Sequence, residues 1–210
     1  MRFPNPLSLL DIVPDTGLKI IGNELDPHIL EEAYDAGYFP WNTYPDEMLW
    51  HSPEPRFVLF PDDLKISKST RKLFRNPDLN FKMNQDFELV LQHCANIHRP
   101  GQDGTWLYES LQACILELHK KDKALCVTAY IGDELIGGLY GIIAGKNRKV
   151  FCGESMFSLQ SNGSKLAFAW YVQNYAQQHF ELIDCQQETP YLASFGAKCM
   201  DAKDYLEYLK

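Results

Sequence analysis

The sequence predicts an α+β (mixed α/β) fold: a small N-terminal α+β module over residues 1–60, then one larger mixed-sheet domain over residues 61–210. Three observations carry this. Strand-like runs at 124–131, 135–144 and 149–152 follow one another across short turns, as antiparallel strands do. A long helical stretch at 162–179 then leads to a buried-type strand at 182–185, which returns the chain to the same sheet. Residues 1–60 are instead rich in proline and aromatics, with room for one helix and short strands.

The elements follow in order. Residues 27–37 form a helix, with Asp26 as N-cap, Pro27 in the first turn and Gly37 as the stop. Residues 56–60 are strand-like. Asp62 and Asp63 cap a helix over 64–74. Residues 84–97 place Phe87, Val90, Leu91 and Cys94 on one helical face. A glycine-containing loop, Gly101-Gln102-Asp103-Gly104, follows. Residues 108–120 do the same with Leu111, Cys114, Ile115 and Leu118. Gly132-Asp133 turns the chain between two strands, Asn162 or Ser164 caps the long helix, and 201–209 is a last short helix.

Composition narrows the class. At 210 residues the core needs neither metal nor disulfide to form. Six cysteines contain no C-x-x-C pair and lie in apolar runs, which fits a reducing compartment. The first residues lack an apolar signal core, and the run at 124–131 falls far short of the ~20 residues of a membrane helix. A cytoplasmic location with no membrane partner is expected. The net charge of −8 repels nucleic acid on average, so any such contact needs a local basic patch, while a basic substrate is favoured.

Four constellations stand out. Phe151–Phe157 carries Glu154 between apolar neighbours, where a carboxylate needs a partner or a task; a structural loop cap is the alternative. Its likeness to G-x-S-x-G fails because the fifth residue is Phe157. Asp184, in the apolar segment 182–186, shares a face with Gln186 by alternation; such a pair can orient an amine and polarise a carbonyl, the alternative being a satisfied core acid. Lys65, Lys68, Arg71, Lys72 and Arg75 form a basic stripe fit for a phosphate backbone, or else a solvated helix face. Phe39, Trp41, Trp50 and Trp106 lie outside core periodicity and can stack a base; for Trp50 ordinary packing is the better reading. No H-E-x-x-H, Walker loop, G-x-G-x-x-G or acetyl-CoA pyrophosphate loop is present.

Eight motifs occur in a shared order: Gly37-Tyr38-Phe39-Pro40-Trp41, the stretch 50–56, Gly104-Thr105-Trp106, Gly137-Gly138-Leu139-Tyr140-Gly141, the stretch 151–158, Ser164-Lys165, Leu182–Gln186 and Ala193-Ser194-Phe195-Gly196-Ala197. Together they resemble the leucyl/phenylalanyl-tRNA–protein transferase family over nearly the whole chain. The resemblance implies a GNAT-like domain after a small N-terminal one. It implies transfer of Leu or Phe from aminoacyl-tRNA to proteins beginning with Arg or Lys, as a bacterial N-end rule degradation signal; an apolar pocket that discriminates by size is expected to take Met as well. By motif, Asp184 and Gln186 match the catalytic pair and Glu154 the acceptor-binding acid. Leu139, Phe151, Phe168, Tyr175 and Ile183 match the side-chain pocket, Trp41 and Trp106 the 3′-adenosine site, and Lys65–Arg75 the tRNA-contacting region. Tyr191, where histidine is expected, and a longer 145–150 connection depart from the pattern.

The chemistry so implied is aminolysis of an activated ester, with no cofactor, no metal and no ATP, by a monomer. The expected roles are Asp184 accepting a hydrogen bond or proton from the amine, Gln186 aligning amine or carbonyl, and Glu154 pairing with the basic acceptor. The competing classes are an acetyl-CoA-dependent GNAT acetyltransferase, which the missing pyrophosphate loop opposes, a non-catalytic tRNA-binding module, which leaves the three polar residues idle, and a Fem-like peptidoglycan transferase, which lacks these motifs.

Overall fold

A computed structural model describes residues 3–6, 18–22, 25–41, 48–97, 105–147 and 149–210. The loop expected at 101–104 lies outside them. The N-terminal part contains a three-stranded antiparallel sheet in the order β1 (Leu18–Gly22), β3 (Met48–His51), β2 (Phe39–Pro40). Helix α1 (Pro27–Asp35) starts as expected: the Asp26 carboxylate accepts from the backbone N–H groups of His28 and Ile29 at 2.7 and 2.8 Å. Gly37 ends it with φ +87°, a conformation glycine adopts without strain.

The remaining strands form one seven-stranded sheet: β10 (Lys198–Met200), β4 (Arg56–Leu59), β9 (Leu182–Asp184), β8 (Val150–Ser158), β7 (Glu134–Ala144), β6 (Ala124–Ile131), β5 (Leu79–Met83). All its pairings are antiparallel except β8 with β9. The class is therefore the mixed α/β one the sequence predicts. Strand β4 lies inside the large sheet, so that sheet begins before residue 61.

Both faces of the sheet are covered. Tyr140 and Cys126 face a core built with α1, α3 (Phe87–Asn96) and α4 (Glu109–Lys120). Leu125, Val127, Leu139, Phe151 and Ile183 face α5 (Gly163–Tyr171) on the other side. This is why the central strands read as continuous apolar runs instead of alternating ones.

Several expected boundaries shift. Helix α2 spans only Lys68–Leu73; Ser67 caps it by accepting from the Thr70 N–H, while Asp62 and Asp63 lie in a separate 3-10 turn, Pro61–Asp63. Strand β8 runs on to Ser158, and β5 was not expected. The stretch expected as one helix over 162–179 is divided into α5, a π-helical turn at Val172–Ala176, and α6 (Gln177–His179). Neither expected cap bonds through its own side chain as an N-cap: Ser158 Oγ accepts the Ser164 N–H at 2.9 Å. The chain ends with α7 (Pro190–Ala193), β10 and α8 (Ala202–Glu207).

Gly163 lets α5 sit directly on β7: a Cβ there would meet the Ile136 carbonyl oxygen at 1.9 Å. Gly163→Ala is expected to cost about 1–3 kcal/mol, as overpacking does, and to lower the melting temperature by several degrees. An unchanged thermal midpoint would contradict this packing.

Candidate active site

The parallel pair β8–β9 holds for only three steps, Val150–Leu182, Phe151–Ile183 and Cys152–Asp184. Then β9 ends while β8 continues. The polar backbone freed there opens a cavity of about 330 Å³. Its apolar wall includes Leu139, Phe151, Phe168 and Ile183. Trp41 and Trp106 also line it, with Trp41 42% exposed. Glu154, Asp184 and Gln186 form its polar end.

Local backbone irregularities deliver these polar groups. Tyr140 pairs with Ser155 and Gly141 with Gly153, so Glu154 is the extra residue of a β-bulge. A bulge re-aims a side chain and releases it from the ladder. Gln186 takes a left-handed conformation, φ +64°, just past β9, and its N–H donates to Asp184 Oδ1 at 2.8 Å. Its side-chain Nε2 donates to Glu154 Oε1 at 2.7 Å. Asp184 and Gln186 thus meet through this turn, not through the strand alternation expected.

Asp184 is fully buried and each of its oxygens accepts two bonds. Oδ1 takes Arg56 Nε at 2.8 Å and the Gln186 N–H; Oδ2 takes Arg56 Nη2 at 2.6 Å and the Tyr205 hydroxyl at 2.9 Å. Arg56 is also buried, lies over the Phe39 and Tyr205 rings at 4.8 and 4.5 Å, and donates to the Gly37 carbonyl at 3.2 Å. Burial works against its charge, but Asp184 outweighs burial and the guanidinium pKa goes up.

Glu154 differs. Burial pushes its carboxyl from the ordinary 4.5 up to about 8. The neighbouring Tyr34 hydroxyl pulls it down, the Asp184 charge raises it, and Arg56 and Gln186 lower it again. Tyr34 does so without reaching hydrogen-bond geometry. The thiols of Cys152 and Cys185 are raised by burial, so neither supplies a thiolate nucleophile.

Of the pocket residues implied by the resemblance, Tyr175 stands apart. It is not among the residues that line the cavity; it lies in the π-helical turn, packs against the same core cluster as Phe151 and Phe168, and stacks on His179 with ring centroids 3.9 Å apart. Trp50 is fully buried in the core, and Phe39 is 2% exposed beneath the cavity. Lys65, Lys68, Arg71, Lys72 and Arg75 are all exposed, but only Lys68, Arg71 and Lys72 lie on α2. Tyr191 packs against Phe195 and stands near Ser164, outside the cavity. Sequence reasoning missed Arg56, Tyr205 and Tyr34, and the lining residues Met156 and Leu192. An arginine opening the apolar strand 56–59 was the available signal for the first.

Residues 58–210 match the family "Leucyl/phenylalanyl-tRNA protein transferase", and residues 23–54 match that family's N-terminal domain. The leucyl/phenylalanyl-tRNA–protein transferase of Christiangramia forsetii is 43% identical over 99% of this chain and 96% of its own. The one from Shewanella loihica is 43% identical over 100% of this chain and 86% of its own. Among solved structures, a GCN5-related N-acetyltransferase from Kribbella flavida aligns with a TM-score of 0.43 at 10% identity, over 70% of this chain and 55% of that one.

Removing one partner of a buried ion pair leaves the other charge stranded. Arg56→Met is therefore expected to destabilise the fold by about 3–5 kcal/mol, and the double variant R56M/D184L to recover much of that loss. Thermal melts of the two proteins check this. A single variant as stable as the wild type would remove the pair from the account.

Proposed function

The chain belongs to the leucyl/phenylalanyl-tRNA–protein transferase family, and from that premise we propose that it moves Leu or Phe from aminoacyl-tRNA to proteins whose first residue is Arg or Lys. Met is the next side chain the pocket accepts, because one methylene of difference is worth only about 1–3 kcal/mol. The product carries a new N-terminal residue, read here as a bacterial N-end rule degradation signal. The reaction is placed in the cytoplasm.

The observation that carries this reading is one cavity with an apolar wall and an acid–amide end. Leu139, Phe151, Phe168 and Ile183 receive the transferred side chain. Trp41 and Trp106 stack the 3′-adenosine. Lys65, Lys68, Arg71, Lys72 and Arg75, exposed and outside any ion pair among the described residues, track tRNA phosphates, against an overall charge of −8. Glu154 draws the cationic end of the acceptor into the cavity.

The ester is already activated, so the enzyme's tasks are to desolvate and align the amine and to stabilise charge on the carbonyl oxygen. Gln186 does the aligning, with its backbone fixed by Asp184 and its amide by Glu154. Asp184 is assigned as a positioning group. The support for this is that its four acceptor directions are already filled.

The test uses Phe-tRNA charged with labelled phenylalanine and an acceptor protein beginning with Arg or Lys. Label is expected in the acceptor, and not in the same protein beginning with Asp or Gly. No transfer to any of these would overturn the proposal.

A further inference from the structure

We propose that Glu154, and not Asp184, takes the proton from the attacking amine. This rests on the aminoacyl-transfer reading and assigns one step within it.

Two acids line the reacting end of the cavity, and only one has capacity to spare. Asp184 is enclosed and holds two donors on each oxygen. To accept a proton it would have to give up Arg56 or Tyr205, leaving a buried guanidinium or hydroxyl unpaired. Glu154 sits on its bulge, lines the cavity, and accepts from Gln186 Nε2 on one oxygen with the Tyr34 hydroxyl close by, fewer donors than the four on Asp184. That same Gln186 is the group placed to align the amine.

The groups facing Glu154 come from every neighbouring element. They are Tyr34 of α1, Arg56 of β4, Cys152 of β8, Asp184 of β9 and Gln186 of the turn after it. Burial keeps the Tyr34 hydroxyl and the Cys152 thiol protonated. Arg56 and Asp184 are bound to each other. Glu154 is the acid left to change state, because burial raises its carboxyl to about 8. An acceptor that brings a cation beside Glu154 stabilises the carboxylate, so the base forms when the right acceptor arrives.

The step balances without a co-reactant. The amine lone pair forms the N–C bond at the ester carbonyl, and the nitrogen's proton passes to a Glu154 carboxylate oxygen. The C–O bond to the ribose then breaks with its electron pair on the ribose oxygen, which takes the proton back from Glu154. Amine plus ester gives amide plus alcohol.

The test separates acceptor binding from turnover. Glu154→Gln keeps the shape of the side chain and removes the base. With wild-type melting temperature and Phe-tRNA affinity as controls, kcat at saturating Arg-initiated acceptor is expected to fall by about 10²–10⁴-fold. Glu154→Asp, which keeps a carboxyl drawn back by one methylene, is expected to lose less. Glu154→Gln with unchanged kcat and only a raised acceptor KM would overturn the inference, because that pattern marks uniform binding alone. Wild-type protein that transferred no label would instead remove the reading beneath it.

Discussion

The buried ion pair between Arg56 and Asp184 is the constraint on which the other parts of the site depend. Residues 128 positions apart meet with two bonds of 2.8 and 2.6 Å. The guanidinium reaches the carbonyl of Gly37 at the end of α1, and Tyr205 of α8 donates to the same carboxylate. N-terminal unit, central sheet and C-terminal helix are thereby tied at one point. Burying two charges costs several kcal/mol per ion, and only complete hydrogen bonding offsets that. The bonds counted on Asp184 show how nearly complete it is. Its Oδ1 also holds the Gln186 N–H and with it the left-handed turn that ends β9.

The cavity follows from that turn. If β9 continued beside β8, the space between them would close with ladder hydrogen bonds. Instead the chain turns at Gln186, the bulge turns Glu154 inward, and the two side chains bond across the gap. Two carboxyls in one site thus differ in their surroundings: one is held in an ion pair by a guanidinium, the other is raised by burial to about 8.

Much of this was legible in the sequence. Helices α1, α3 and α4 declared themselves through caps and 3.6-residue periodicity, and the order β6–β7–β8, α5, β9 set the fold class. Asp184 and Glu154 were conspicuous as acids in apolar strands. What failed did so for physical reasons. The π-helical turn leaves no mark in an apolar pattern, so the stretch 162–179 read as one unbroken helix. Strand β5 alternates half-buried Leu79, Phe81 and Met83 with exposed Asn80 and Lys82, but five residues give a short signal. Arg56 was overlooked because its partner is remote in sequence. A lone cation and a lone acid, each in a buried strand, were two halves of one pair.

The proposed division of labour has Asp184 positioning the site and Glu154 carrying the proton. The direct measurement is the pH dependence of the single-turnover transfer rate for Asp184→Asn beside the wild type, with the folded fraction fixed by thermal melts. The expected result is a lower rate whose ascending limb persists but moves to lower pH, because Gln186 is less well held and the Asp184 charge no longer raises Glu154. A variant that lost the ascending limb of the wild-type profile would show that Asp184 is itself the base.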